Sequence, residues 1–368
     1  MTKIIKTSAT IGLFIGLSSA MFFAQAASTD NAAIPAELTA AALTDPNWQA
    51  PRTSWGHPDL QGVWTSDEMR VVDYERPEEF GNRESLTAEE FADRYENDSI
   101  ALDNATESII GTFGYTSLVV EPRNGRFPQL TEAGMARIHT SDRGSYGAGP
   151  YDTTEDFTLL DRCISRGIVG SIMPVLYGNG MRIIQTPEEV IISYEMVHDT
   201  RVIPMDGRPY LSEEIRQYMG DSRGHWDGDT LVVETRNLTD KTSVNGRNGR
   251  GTRHSQDMIM TEYFTRIDDE MIDYRIRMVD PVAYEEPITI RLTITSQPNY
   301  VMYEYSCHEG NISIPNTLKG DREHERKVAE AIEQGLPIPE PFQASTQFFG
   351  GLEAPEEGAK IFNINAGE

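Results

Sequence analysis

Between Met181 and Cys307 the chain alternates apolar and polar side chains in runs of five to nine residues, cut by short polar turns. Successive side chains of an extended strand point to opposite faces, so the pattern predicts strands that each bury one side. The runs are Met181 to Gln185, Val190 to Val197, Thr200 to Pro204, Thr230 to Arg236, Met258 to Arg266, Met271 to Val279, Ile288 to Thr295 and Tyr300 to Cys307. In the sixth, Ile272, Tyr274, Ile276 and Met278 share a face while Asp273, Arg275 and Arg277 share the other; in the seventh, Ile288, Ile290, Leu292 and Ile294 oppose Thr289, Arg291 and Thr293. Asp227-Gly228 and Asp268-Asp269 supply residues that tolerate the left-handed backbone of tight hairpins. The succession predicts a mainly β chain with an antiparallel, up-and-down barrel of about eight strands over residues 176–311.

Outside the barrel run the signals are helical or irregular. Thr87-Ala88-Glu89-Glu90 has the form of a capping box, predicting a helix through about Tyr95, and a second helix follows Thr131 through about Arg137. Gly- and Pro-rich connections at Pro122 to Pro128 and Arg143 to Pro150 make residues 27–175 an irregular α+β layer packed on the barrel. A helix from Ser212 to Met219, closed by Gly220, is expected to interrupt the meander as a lid or plug. Residues 312–368 read as a helix near Arg322 to Gln334 followed by a surface tail.

The first residues set the expected compartment. Lys3 and Lys6 precede an apolar run from Ile11 to Phe23, and Ala24-Gln25-Ala26 has the small-x-small pattern of a signal-peptidase site, so residues 1–26 read as a signal peptide for the periplasm or secretion. No later stretch reaches the roughly 20 apolar residues of a membrane-spanning helix, so no membrane insertion is expected. Loss of Lys3 and Lys6 takes the formal net charge from -26 to -28. Such a charge repels phosphate backbones and excludes nucleic acid as the natural partner. Calcium is the sharper reading of so many acids, but no D-x-[DN]-x-[DN]-G loop is present. The two cysteines, Cys163 and Cys307, are expected to form a disulfide in an oxidising compartment, closing a loop of about 140 residues. The rival is a nucleophilic Cys307; His308 next to it is no partner, because adjacent strand residues point apart.

Several segments look familiar. Pro58-Asp59-Leu60-Gln61-Gly62-Val63-Trp64-Thr65, Ser117 to Pro122 with Gly125-Arg126, Asp161-Arg162-Cys163, Gly220 to Gly224 leading into Trp226 to Thr235, and Tyr303 to Asn311 resemble a large group of exported proteins of soil and marine bacteria with a lipocalin-like (calycin-type) β-barrel. The resemblance covers most of the mature chain. It implies export and a shared fold and carries no activity over. Gly62-x-Trp64 is similar to the lipocalin signature, in which the Trp plugs one end of the barrel. The barrel run is also similar to lipocalin-like domains in general, terpenoid hydratases among them.

The chemistry-bearing residues are sparse. Gly220-Asp221-Ser222-Arg223-Gly224 has the G-x-S-x-G form of a nucleophile elbow, but an elbow needs a strand before it and a helix after it, the reverse of the order expected here. Period two offers more: His254, Met258, Met260, Glu262 and Phe264 share parity, as do Met302, Glu304, Ser306 and His308, so two imidazoles and two carboxylates are expected at one barrel mouth. A buried carboxyl and an imidazole suffice for cofactor-free acid-base chemistry. The structural alternative is an inward Glu262 paired with a barrel arginine such as Arg182 or Arg201, and a rim His that is merely solvated. Zinc on two His and two Glu is a rival without H-E-x-x-H or His-x-His spacing. Arg162, Arg223 and Tyr274 are candidate substrate contacts, arginine because it clamps carboxylates. No phosphate loop, dinucleotide fingerprint, haem or iron-sulfur spacing appears, so no cofactor is expected. The expectation is an exported enzyme of lyase, hydratase or isomerase type acting on a largely apolar small molecule in a barrel cavity through His254, Glu262, Glu304 and His308. The alternatives are a non-catalytic carrier and a metal-dependent hydrolase; a third, a structural envelope protein, requires a solid core and an exposed apolar patch.

Overall fold

The computed structural model describes residues 48–103, 113–137, 151–175, 178–244 and 252–340. The expected signal peptide, the Arg143 to Pro150 connection and the tail beyond residue 340 lie outside them. Ten strands form one antiparallel sheet: β1 Gly62–Thr65, β2 Val119–Glu121, β3 Gly180–Gln185, β4 Glu189–Tyr194, β5 Thr200–Pro204, β6 Asp221–Asp227, β7 Thr230–Arg236, β8 Ile259–Arg266, β9 Met271–Val279 and β10 Ile288–Ser296. The spatial order is β5-β4-β3-β1-β10-β9-β8-β7-β6, with β2 also on β10. The two end strands, β5 and β6, come back against each other without a hydrogen-bonded ladder, which makes a nearly closed barrel consistent with a lipocalin-like fold.

The seam is closed by packing. Gly224 of β6 faces Met205 and Ile203 so closely that a Cβ there would lie 2.4 Å from the Met205 sulfur. The inward faces form one buried cluster that includes Met181, Ile183, Ile192, Ile203, Leu231, Val233, Met260, Phe264, Ile272, Ile276, Ile290 and Leu292. Burying aliphatic and aromatic side chains contributes roughly 1.5–3 kcal/mol each, before the ordering entropy that opposes it. At one end Trp64 is 1% exposed; its Nε1 donates to the Leu60 carbonyl at 2.9 Å, and the Arg266 guanidinium lies 5.5 Å from its ring centre.

Two expected elements are corrected. Tyr300 to Cys307 is not a strand, and the last barrel position is taken by β1 instead. One edge of β10 carries β9 and the other is shared by β1 and β2, so no edge remains for a further strand. Ser212 to Met219 is not a helix. Gln217 instead pairs with the chain around Leu238, donating to the Asn237 carbonyl and accepting from Thr239 N, both at 3.0 Å. An eight-residue helix is too short to hold against such pairing. The G-x-S-x-G segment lies in β6, with the Ser222 hydroxyl 2.8 Å from that of Thr235 across the ladder.

Four α-helices complete the described chain: α1 Ala88–Asp103, α2 Glu132–Met135, α3 Gly167–Ile172 and α4 Ser313–Gln334. The expected capping box is present, with Thr87 N donating to Glu90 Oε2 at 2.7 Å and Glu90 N to Thr87 Oγ1 at 3.3 Å. Thr131 caps α2, accepting from Gly134 N at 2.9 Å. The N-terminal layer sends β1 and β2 into the sheet and covers the outer face of β10, where the Tyr115 hydroxyl meets Thr293 at 3.1 Å. Among the described residues no helix is long and apolar enough to cross a membrane.

Candidate functional site

The four residues expected at one barrel mouth do not meet. Glu262 projects from β8 into the barrel and is 0% exposed. Arg201 of β5 donates to both its oxygens, at 2.6 and 2.8 Å, and the Tyr274 hydroxyl donates to Oε1 at 2.9 Å. Arg201 also donates to the Tyr194 hydroxyl at 2.9 Å. Burial opposes the charge on Arg201, but Glu262 with Tyr194 and Tyr274 together outweigh it and hold the guanidinium above its ordinary range. Burial, reinforced by the Glu262 charge, raises Tyr274 well above the usual phenol. Three hydrogen bonds hold the carboxylate, two on Oε1 and one on Oε2, so the quartet is an internal cross-tie between β5 and β8. The barrel-arginine alternative for Glu262 is the arrangement observed, with Tyr274 bound into it.

His254 lies just before β8 and is also 0% exposed. Its Nδ1 is 2.9 Å from the Ser255 carbonyl, an atom that only accepts, so Nδ1 carries the proton and Nε2 accepts from the Thr242 hydroxyl at 2.6 Å. Burial pushes this imidazole below its ordinary pKa and keeps it neutral. Asp280 fixes the neighbouring turn, accepting from Ser255 N at 2.6 Å and from its hydroxyl at 2.7 Å. Arg162 is engaged by Glu155 at 3.1 and 2.8 Å. Arg223 grips Asp221 and the carbonyls of Arg208, Pro209 and Ser222, fastening the connector between β5 and β6. Glu304 and His308 are exposed and lie outside the barrel, because period-two parity loses its meaning where the backbone is not a strand.

What Tyr300 to Cys307 does instead is cross the outside of the barrel as a strap. It leaves β10 where Gln297 N donates to Val63 O at 2.8 Å, and it reaches Cys307, which sits at disulfide distance from Cys163 with Cα atoms 5.6 Å apart. Asn311 Nδ2 adds a bond to the Asp161 carbonyl at 2.8 Å. Midway the strap meets the turn joining β4 to β5: the Tyr300 hydroxyl donates to Glu195 Oε1, and His198 Nδ1 donates to the Tyr305 carbonyl at 3.2 Å. At that turn Val197 has φ 65° and His198 φ 49°, two consecutive non-glycine residues in the left-handed region. For a β-branched residue this conformation is a genuine outlier, and it holds His198 outward while Val197 is buried. Asp199, the next residue, is raised by burial and accepts from the Ser165 hydroxyl at 2.7 Å.

Between strap and barrel lie two neighbouring clefts. The first, about 320 Å³, is bounded by Trp64, Thr65, Asp67 and Gly180 on the barrel side and by Tyr300 and Tyr305 of the strap. The second, about 350 Å³, has Arg182, Ser193 and His198 on one side and Met302, Tyr303 and Glu304 on the other. Glu195 lines both. A carboxylate, an imidazole and a second carboxylate from the strap therefore share one ligand-sized recess. Of the expected site residues only Glu304 belongs to it. Glu195, His198, Tyr300 and Tyr305 were not legible as a group, because a left-handed Val-His turn has no sequence signature and the strap alternates like a strand. Among the described residues no three His, Cys, Asp or Glu side chains are grouped to hold a metal ion. No protein-family model, curated protein or solved structure matches the chain.

Proposed function

We propose that the protein is an exported enzyme that moves a proton on a small molecule seated beneath the strap, in chemistry of lyase, hydratase or isomerase type. His198 serves as the proton-transfer group, with Glu195 and Glu304 as the carboxylates that accept or return the proton. The observation that carries the reading is the backbone of the turn. Consecutive left-handed residues at Val197 and His198 cost on the order of 1–3 kcal/mol each, and strain of this kind concentrates where a side chain must be aimed. Here it aims an imidazole at a cleft whose opposite wall is tethered through Cys307. The tyrosines and Met302 suit a substrate with an apolar body and a polar or charged end.

Export is supported by the basic and apolar opening of the chain and by the cysteine pair at disulfide distance. A carrier using the same cleft is the second reading, favoured by the Tyr300 hydrogen bond that already occupies one Glu195 oxygen. The two separate in a substrate screen followed by His198→Gln and Glu195→Gln. An enzyme loses at least 100-fold in kcat in both variants, and in His198→Gln the ligand affinity changes less than tenfold. Turnover untouched by both substitutions removes the strap cleft as the active site.

A further inference from the structure

Resting on that reading of the site, we infer that the first cleft receives an organic cation, an ammonium group carried on the ligand. None of the residues lining this cleft is Lys, Arg or His, whereas Asp67 and Glu195 both lie on its wall. Each of these carboxylates has one oxygen engaged: Asp67 Oδ1 accepts from Asn179 Nδ2 at 2.6 Å and has Arg70 Nε 3.9 Å away, and Glu195 Oε1 accepts from the Tyr300 hydroxyl. Among the described residues Asp67 Oδ2 and Glu195 Oε2 accept no hydrogen bond. The residue at 180 is glycine, and a Cβ there would stand 2.7 Å from Glu195 Oε2, so the bare backbone makes the room in which this oxygen sits.

The remaining walls favour an organic cation over a hydrated metal ion. Tyr300 and Tyr305 line the same space, and aromatic faces attract ammonium groups through their quadrupole while offering nothing to a hydration shell. Two carboxylates alone are also fewer than the donors that a resident calcium ion takes. The second cleft also holds carboxylates, Glu195 and Glu304, but sets Arg182 and His198 beside them, basic groups that the first cleft lacks. The polarity along the recess therefore orients the ligand, cationic end toward Asp67 and Glu195. The strong negative charge of the whole chain draws such a ligand in.

The test is an NMR and calorimetric titration of the full mature chain with choline, with 3,3-dimethyl-1-butanol as the uncharged probe of the same shape and with 3,3-dimethylbutyrate as the anionic one. Choline is expected to saturate, to shift the amides of Glu195, Tyr300 and Tyr305, and to bind at least tenfold tighter than the alcohol. Glu195→Gln and Asp67→Asn, each checked for a native circular dichroism spectrum, are expected to weaken choline at least tenfold and to leave the alcohol within twofold. Tyr305→Leu, which keeps both charges, is expected to weaken choline severalfold. Equal affinity for choline and the alcohol, or choline binding indifferent to both carboxylate substitutions, overturns the inference. Probes of other charge moving those amides while choline does not sinks the cation and keeps the site; no probe moving them sinks the site as well.

Discussion

Glu262→Gln should destabilise the fold far more than it affects ligand chemistry. The substitution keeps the shape of the side chain but removes the charge facing Arg201, whose side chain is 2% exposed. Removing one partner of a buried ion pair costs about 3–5 kcal/mol, because the other charge is left without its counter-charge in a dry interior. That is a large share of the roughly 5–15 kcal/mol that holds a domain folded. With a urea dependence of about 3 kcal/mol/M for a chain of this size, the unfolding midpoint should fall by about 1 M or more. The double substitution Arg201→Met with Glu262→Leu should behave differently. It removes both charges together, and it removes the Arg201 Nε group, which is buried without a hydrogen-bond partner. Replacing a buried pair by apolar groups of similar volume is often neutral or stabilising, offset here by the Tyr194 and Tyr274 hydroxyls, which lose these partners at about 1–3 kcal/mol each. Urea unfolding followed by tryptophan fluorescence on the two single variants and the double variant should give a coupling energy above 2 kcal/mol. The reasoning fails if Glu262→Gln costs less than 1 kcal/mol, or if the double variant is as unstable as the sum of the singles.

Two further outcomes follow from the same interior and from the strap. His254 is held below its ordinary pKa of 6.5 by burial, so it contributes stability that is fully present above about pH 6.5 and is lost as pH falls through its lowered folded value; unfolding midpoints between pH 8 and pH 5 should decline more steeply in the parent than in His254→Gln, and parallel curves would contradict this. Joining Cys163 to Cys307 constrains a long loop, for which chain entropy gives about 5 kcal/mol, so Cys163→Ser with Cys307→Ser should lower the melting temperature and speed hydrogen exchange in residues 298–311; unchanged exchange there would show that the strap is held without the pair.

Much of the barrel was legible because its strands obey a simple rule. From Met271 to Thr295 every inward position is large and apolar, and the observed register pairs those positions directly, Ile276 with Ile290 and Tyr274 with Leu292. The rule failed where the barrel uses it least. Asp221–Asp227 turns Ser222 and Gly224 inward, small residues that let the seam close, and so lacks an apolar alternation to read. Tyr300 to Cys307 has the alternation but meets no free strand edge, and its tyrosines face clefts instead of a core. The inward direction of Glu262 was readable, as was an arginine partner. The three hydrogen bonds that occupy it come from β5 and β9, and those distant contacts decide between proton donor and cross-tie. Glu195 and His198 escaped notice for a related reason: their meeting with the strap depends on a chain crossing more than 100 residues away.

The most direct measurement of the central claim, that ligands are held under the strap and not inside the barrel, is a crystallographic fragment screen of the mature protein with small acids, bases and neutral aromatics. Bound fragments are predicted to cluster between Glu195, His198, Tyr300 and Tyr305, with the Arg201–Glu262 pair undisturbed. Fragments collecting in the barrel interior against Glu262 and Tyr274, with the strap clefts empty, would contradict the account.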